Sequence, residues 1–156
     1  MKQATPQIMI VLIFLLLLPF WVYSQDIGIV NALIGYLNKP VPDDAQRVGR
    51  TEYSRLIQAD ETAFMYEIFE TSNNVVIMAT LKIVGNPAFI NYSFGQMFNI
   101  LDPLGEPIIS SRRYSAWLYN DYIIIFQLSE DENIPSLLLL TFFRDDLELI
   151  SRMLIF

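Results

Sequence analysis

The acid–base chemistry open to this chain rests on carboxylates. Its 156 residues include 17 acidic and 10 basic side chains but no histidine and no cysteine. Ser-His-Asp and Cys-His nucleophiles, a histidine general base, and thiolate or imidazole zinc sites are therefore excluded. The acids cluster at Asp43-Asp44, Asp60-Glu61, Glu130-Asp131-Glu132 and Asp145-Asp146. A glycosidase needs two carboxylates about 5–10 Å apart across a cleft, one of them held protonated. These clusters fall instead in expected loops or helix starts, where acids cap and solubilise. Glu67 differs, because it interrupts an apolar strand between Tyr66 and Ile68. A partly buried strand carboxylate can be functional. The plainer reading is that Glu67 faces solvent or pairs with a basic neighbour such as Lys82 on the partner strand.

Three other clusters have candidate chemistry. Glu130-Asp131-Glu132-Asn133 offers four oxygen-bearing side chains to calcium but lacks the EF-hand spacing and its central glycine. Arg112-Arg113 has the charge for a phosphate or carboxylate, yet consecutive strand residues point to opposite faces, so the two guanidiniums do not converge. Tyr114, Trp117, Tyr119 and Tyr122 suit a sugar-stacking platform or a protein hot spot. The competing reading is aromatic packing between sheet and helix. A two-residue loop at Asn120-Asp121 pairs Tyr119 with Tyr122, Trp117 with Ile124 and Ser115 with Phe126 on one face. Leu118 with Ile123, Ala116 with Ile125 and Tyr114 with Gln127 then share the other. Trp117, Tyr119 and Tyr122 are the candidate interaction patch, and no catalytic, cofactor or metal residue is assigned. Asn91-Tyr92-Ser93 matches a glycosylation sequon but sits on an expected helix.

The elements that must hold these residues follow from periodicity. Ile27, Val30, Leu33, Ile34 and Leu37 share a helical face, with Asp26 as a cap. Pro40 to Gly49 reads as a loop, and Tyr53, Leu56 and Ile57 give Thr51 to Gln58 a weak helical pattern. Thr62–Glu70 and Val75–Val84 are β-branched and aromatic, and Asn73-Asn74 between them suits a tight turn. Their apolar residues lie on both faces, so the sheet is expected to be covered on both sides over much of its area. Asn86 and Pro87 open a helix to Leu101, with Ile90, Phe94, Met97 and Leu101 on one face and Gly95 as its weak point. A rival assignment makes Gln96–Leu101 a strand paired to Ile108 and Ile109. Leu137–Phe143 is a further strand, and Arg144-Asp145-Asp146 caps a final helix carrying Leu147, Ile150 and Leu154. The expected fold is α+β: an antiparallel sheet of about five strands with two or three helices packed on it. An outer-membrane barrel would need strands alternating apolar and polar about a lumen, and these runs do not alternate.

Location follows from the N-terminus. Lys2 is the only charge before Asp26, and an apolar run from Ile8 to Phe20 is followed by Val22 and Ser24 at the small-residue positions. This is the pattern of a secretory signal peptide cut after Ser24, leaving residues 25–156 as a single domain. The alternative is a membrane anchor over residues 8–23, a run slightly short of the roughly 20 residues that span a bilayer. No cysteine follows the run, which excludes a cysteine-linked lipid. The mature chain keeps nine basic and all 17 acidic residues, a net charge of −8. Such a chain is a poor general ligand for nucleic acid or anionic membranes. A secreted domain without disulfides also tilts the reading toward a bacterial envelope or periplasmic protein. The leading expectation is an exported, non-enzymatic domain acting through a protein partner or self-association, with no cofactor. Its apolar excess, 53% of the chain, signals a buried interface. The alternatives are a carrier of a small apolar ligand, held among Phe94, Met97, Phe98 and Phe126, and a carboxylate-dependent hydrolase.

Overall fold

The two asparagine turns fix the hairpins on which the rest is built. Asn73 and Asn74 take left-handed φ of 51° and 64°, and Asn120 takes 53°. Asparagine tolerates that region better than other residues with a side chain. In this computed structural model, which describes residues 27–129 and 134–154, the first turn joins β3 (Ala63–Ser72) to β4 (Val75–Gly85). The second joins β6 (Tyr114–Tyr119) to β7 (Tyr122–Ser129), and every cross-strand pair expected around Asn120-Asp121 is present. Asn74→Gly removes the left-handed penalty and is expected to stabilise the domain by about 0.5–1 kcal/mol, whereas Asn74→Val costs about 1–2 kcal/mol. Thermal melts of the two variants check the order.

The fifth expected strand is β8 (Ser136–Phe143), and three more join it: β1 (Gln46–Arg47), β2 (Glu52–Ala59) and β5 (Ile109–Ser110). Among the described residues the sheet thus has eight strands rather than about five, all antiparallel, in the order β1-β2-β3-β4-β8-β7-β6-β5. Thr51 to Gln58 is thus a strand and not a helix. A β-bulge between Leu56 and Gln58 inserts Ile57 as an extra residue. That places two apolar residues side by side, so Tyr53, Leu56 and Ile57 imitate helical spacing.

The helices form as their caps predict. Asn86 accepts a hydrogen bond from the Phe89 amide at 2.9 Å, Pro87 is the first helical residue, and α2 runs Pro87–Leu101. Gln96–Leu101 is therefore helical, and Gly95 sits in open space without breaking it. α1 is shorter than expected, Gly28–Ile34, and Asp26 lies outside the described residues. Asp146 accepts from the Leu149 amide at 3.0 Å and starts α3, Leu147–Leu154.

α1 and α2 cover one face of the sheet. Val30 and Leu33 of α1, with Ile90, Met97 and Leu101 of α2, meet Phe69, Ala79, Leu81, Ile124, Phe126 and Leu139 in the larger core. Strand alternation sends the intervening residues to the other face, where α3 lays Leu149, Ile150 and Met153 over Met78, Ile123, Ile125, Leu140 and Phe142. No helix among the described residues is long and apolar enough to cross a membrane. The apolar run of residues 8–23 and its cleavage site lie outside the described residues.

Candidate functional site

Glu67 has a partner, though not the one the sequence suggested. It is 8% exposed on the helix-covered face, opposite Arg55 of β2 and Leu81 of β4. The Arg55 Nη2 and Nε both donate to Glu67 Oε2, Nε at 3.0 Å, while Nη1 donates to the Asp44 carboxylate at 2.8 and 3.0 Å. Tyr36 accepts from Arg55 Nη2 at 2.6 Å and lies 3.3 Å from both Glu67 oxygens. The guanidinium also sits 5.7 Å from the Tyr36 ring centre and 6.0 Å from that of Phe69. Burial opposes the Arg55 charge, but the hydrogen bonds to Glu67 and Asp44 outweigh it and push its pKa further up. Burial and the nearby Glu67 charge raise the Tyr36 phenol. Every group in this cluster is satisfied by another, so it is a closed network. Lys82, the expected partner, pairs with Tyr66 and projects from the opposite face.

Two other acids hold a turn and a cap, Asp60 and Asp146. Asp60 accepts from Thr62 Oγ1 and N, both at 2.7 Å, and from Ala63 N at 3.0 Å. Burial pushes its carboxyl up, but these hydrogen bonds to the ionised form prevail and hold it below the usual range. A depressed pKa in the folded state contributes stability that is present above the unfolded value of about 3.9 and lost as pH falls through the folded value. The wild-type urea midpoint is therefore expected to drop more steeply between about pH 5 and pH 2 than that of Asp60→Asn. Equal slopes would refute the assignment. No group of three metal-ligating side chains occurs among the described residues, and Glu130–Asn133 lies outside them.

Trp117, Tyr119 and Tyr122 do share a face, but it is the one α2 covers. Trp117 is 3% exposed, and its Nε1 donates to the Gly105 carbonyl at 3.0 Å. Tyr119 and Tyr122 are half-buried against the same core, Tyr122 with its ring 5.2 Å from Phe143. An open platform of three aromatics is not what this register builds, because the alternation that gathers the rings also turns them toward the core beneath α1 and α2. The residues proposed to line a ligand cavity pack on one another. Phe94 stacks on Phe126 at 5.2 Å, and Phe98 meets Phe126 and Phe94 edge-on at 5.3 and 5.0 Å. Arg112 and Arg113 lie in the β5–β6 turn, closed by a Ser111 amide to Tyr114 carbonyl bond of 2.7 Å. Asn91 is exposed on α2, and Ser93 of the same sequon is buried.

The surface left open lies on the face that carries α3. The cross-strand row Leu56-Tyr66-Lys82-Leu138-Gln127 runs from β2 to β7 next to Phe64-Val84, and the two rows end at buried Tyr114 and buried Ser136. One row nearer the helix, Leu140 and Ile125 are buried, but here Tyr66, Lys82, Val84 and Leu138 are half-buried. Leu56 is 53% exposed and Phe64 45%, and the Phe64 and Tyr66 rings stack at 6.4 Å. α3 thus covers one end of the face and stops. The sequence led us to expect cover on both faces over much of the sheet. The contacts of α3 run across the strands from Glu70 of β3 to Tyr114 of β6, so a single helix width leaves one end of strands eight to eleven residues long uncovered. No protein-family profile, curated protein or solved structure matches this chain.

Proposed function

We propose that the chain is an exported, non-enzymatic domain that acts through protein–protein contacts at the uncovered end of its sheet. The observation that carries the reading is the band of Leu56, Phe64, Tyr66 and Leu138, apolar side chains gathered on one face with solvent beside them. Burying such a band removes apolar surface from water at roughly 25 cal/mol per Å². Two further features support it. The N-terminal pattern of Lys2, the apolar run and Ser24 fits export, with residues 1–24 removed or residues 8–23 kept as an anchor. The chain has no histidine or cysteine, and its buried carboxylate, Glu67, is held in the ion pair with Arg55, which leaves little for catalysis.

The test joins processing to association. Intact-mass analysis of the exported protein reports whether residues 1–24 are lost. A photo-crosslinking side chain at position 56, introduced in the source cell, should give a discrete protein adduct that Phe64→Ser abolishes. The same group at exposed Glu61 serves as control. Crosslinking equal to the control would remove the reading.

A further inference from the structure

The uncovered band is apolar with a single charge in its floor. Lys82 sits between Tyr66 and Leu138 in the cross-strand row, half-buried, and has no carboxylate partner among the described residues. The residues around it on that face are Leu56, Phe64, Val84 and Leu138, with Ser136 and Gln127 further along. The chain carries an excess of seven negative charges, yet the strand residues of this band include no acid. A cation held in an apolar floor is stabilised by an opposite charge brought in with an apolar surface.

The same face already shows how such a surface is occupied. α3 docks beside the band through Leu149, Ile150 and Met153, and Arg152 forks onto the Glu70 carboxylate of β3 at 2.8 and 2.9 Å. That arrangement is one amphipathic helix, one apolar stripe and one ion pair to a strand residue. The dimensions allow a second. Alternate residues along a strand are about 6.6 Å apart, so the two open rows with their side chains make a band about as wide as one helix, roughly 10 Å. From β2 to β8 the band spans three strand spacings, about 14 Å, or about ten helical residues.

We infer that the uncovered end of the sheet docks an amphipathic helix of a protein partner, laid alongside α3, whose apolar stripe meets Leu56, Phe64, Tyr66 and Leu138 and whose carboxylate pairs with Lys82. The polarity is the reverse of that under α3, where the helix brings the cation. A second copy of this chain fits less well. Face-to-face pairing of two such bands sets Lys82 against Lys82, and both molecules are strongly acidic. The inference rests on the protein-contact reading above and specifies the chemistry of its partner.

The test uses two synthetic 14-residue amphipathic helices, alike in a leucine stripe and differing in a single central glutamate or lysine within it. The exported protein is expected to bind the glutamate peptide at least about fivefold more tightly than the lysine peptide, a modest value for one partly screened ion pair. Lys82→Glu should invert that preference, and Phe64→Ser should weaken both peptides about tenfold or more. Thermal melts of each variant confirm that these exposed and half-exposed positions leave the fold intact. Equal binding of the two peptides, or a preference unchanged in Lys82→Glu, overturns the inference. So does a dimer in sedimentation that Phe64→Ser dissolves, which makes a second copy the occupant. If the peptides fail while the position-56 adduct persists, the helix is wrong and the protein-contact reading stands. If both fail, neither survives.

Discussion

Arg55→Ala is expected to destabilise the domain by about 2–4 kcal/mol, more than removal of the carboxylate it serves. Breaking a buried pair from one side leaves the other charge unpaired, a loss of about 3–5 kcal/mol when both groups are fully buried. Here the Arg55 side chain is 24% exposed and that of Glu67 11%, so water screens part of the loss. Alanine also strips the guanidinium from Tyr36 and from the face of Phe69. Glu67→Gln keeps the shape and removes the charge, and its cost should be nearer 1 kcal/mol. Urea melts of both variants at neutral pH give the measurement. An Arg55→Ala loss no larger than that of Glu67→Gln would mean that Glu67 finds water or another partner, and the closed network would be wrong. The double variant Arg55→Met with Glu67→Leu should recover most of the loss, since an apolar pair of similar size leaves no buried charge.

Phe126→Ala is the other large effect, about 3–5 kcal/mol. Phe126 is fully buried in β7 and is the ring on which α2 is seated, stacked with Phe94 and edge-on to Phe98. Truncation removes the transfer energy of the ring and leaves a cavity that two helix side chains cannot both fill. Against a total stability of about 5–15 kcal/mol, a loss of this size lowers the thermal midpoint by roughly 10–20 °C. Phe126→Leu should recover more than half of it. The contrast with Phe64→Ser is the informative comparison. Phe64 is 45% exposed on the open face, so its replacement should move the midpoint by a few degrees at most. A large loss there would mean that Phe64 supports the fold, and the case for an interface would weaken.

The sequence by itself determined what depends on neighbours a few residues apart. Asn73-Asn74 and Asn120-Asp121 set their turns because left-handed backbone costs asparagine less than other residues with a side chain, and the second turn set six cross-strand pairs at once. Asn86 and Pro87 set the start of α2 because a cap and a missing amide are both satisfied there. The absence of histidine and cysteine narrowed the available chemistry before any fold was known.

The tertiary structure decided what depends on a single extra residue or on distant pairing. The bulge between Glu70 and Thr71 in the β3–β4 ladder shifts the register by one, so Glu67 faces Leu81, and Lys82 is sent to the opposite face. A regular ladder from the same turn would have set Glu67 opposite Thr80, with Lys82 on the same face as its diagonal neighbour. The bulge at Ile57 hid β2, and with it Arg55, the partner of Glu67. The β4–β8 pairing joined the two hairpin sets into one sheet across more than fifty residues of chain, a contact no local pattern encodes. That pairing also decided exposure. It set Trp117 under α2 and left Leu56, Phe64, Tyr66 and Lys82 beyond the reach of α3. Alternation can sort residues between two faces, but which face a helix covers, and how far along, is settled only when the helices pack.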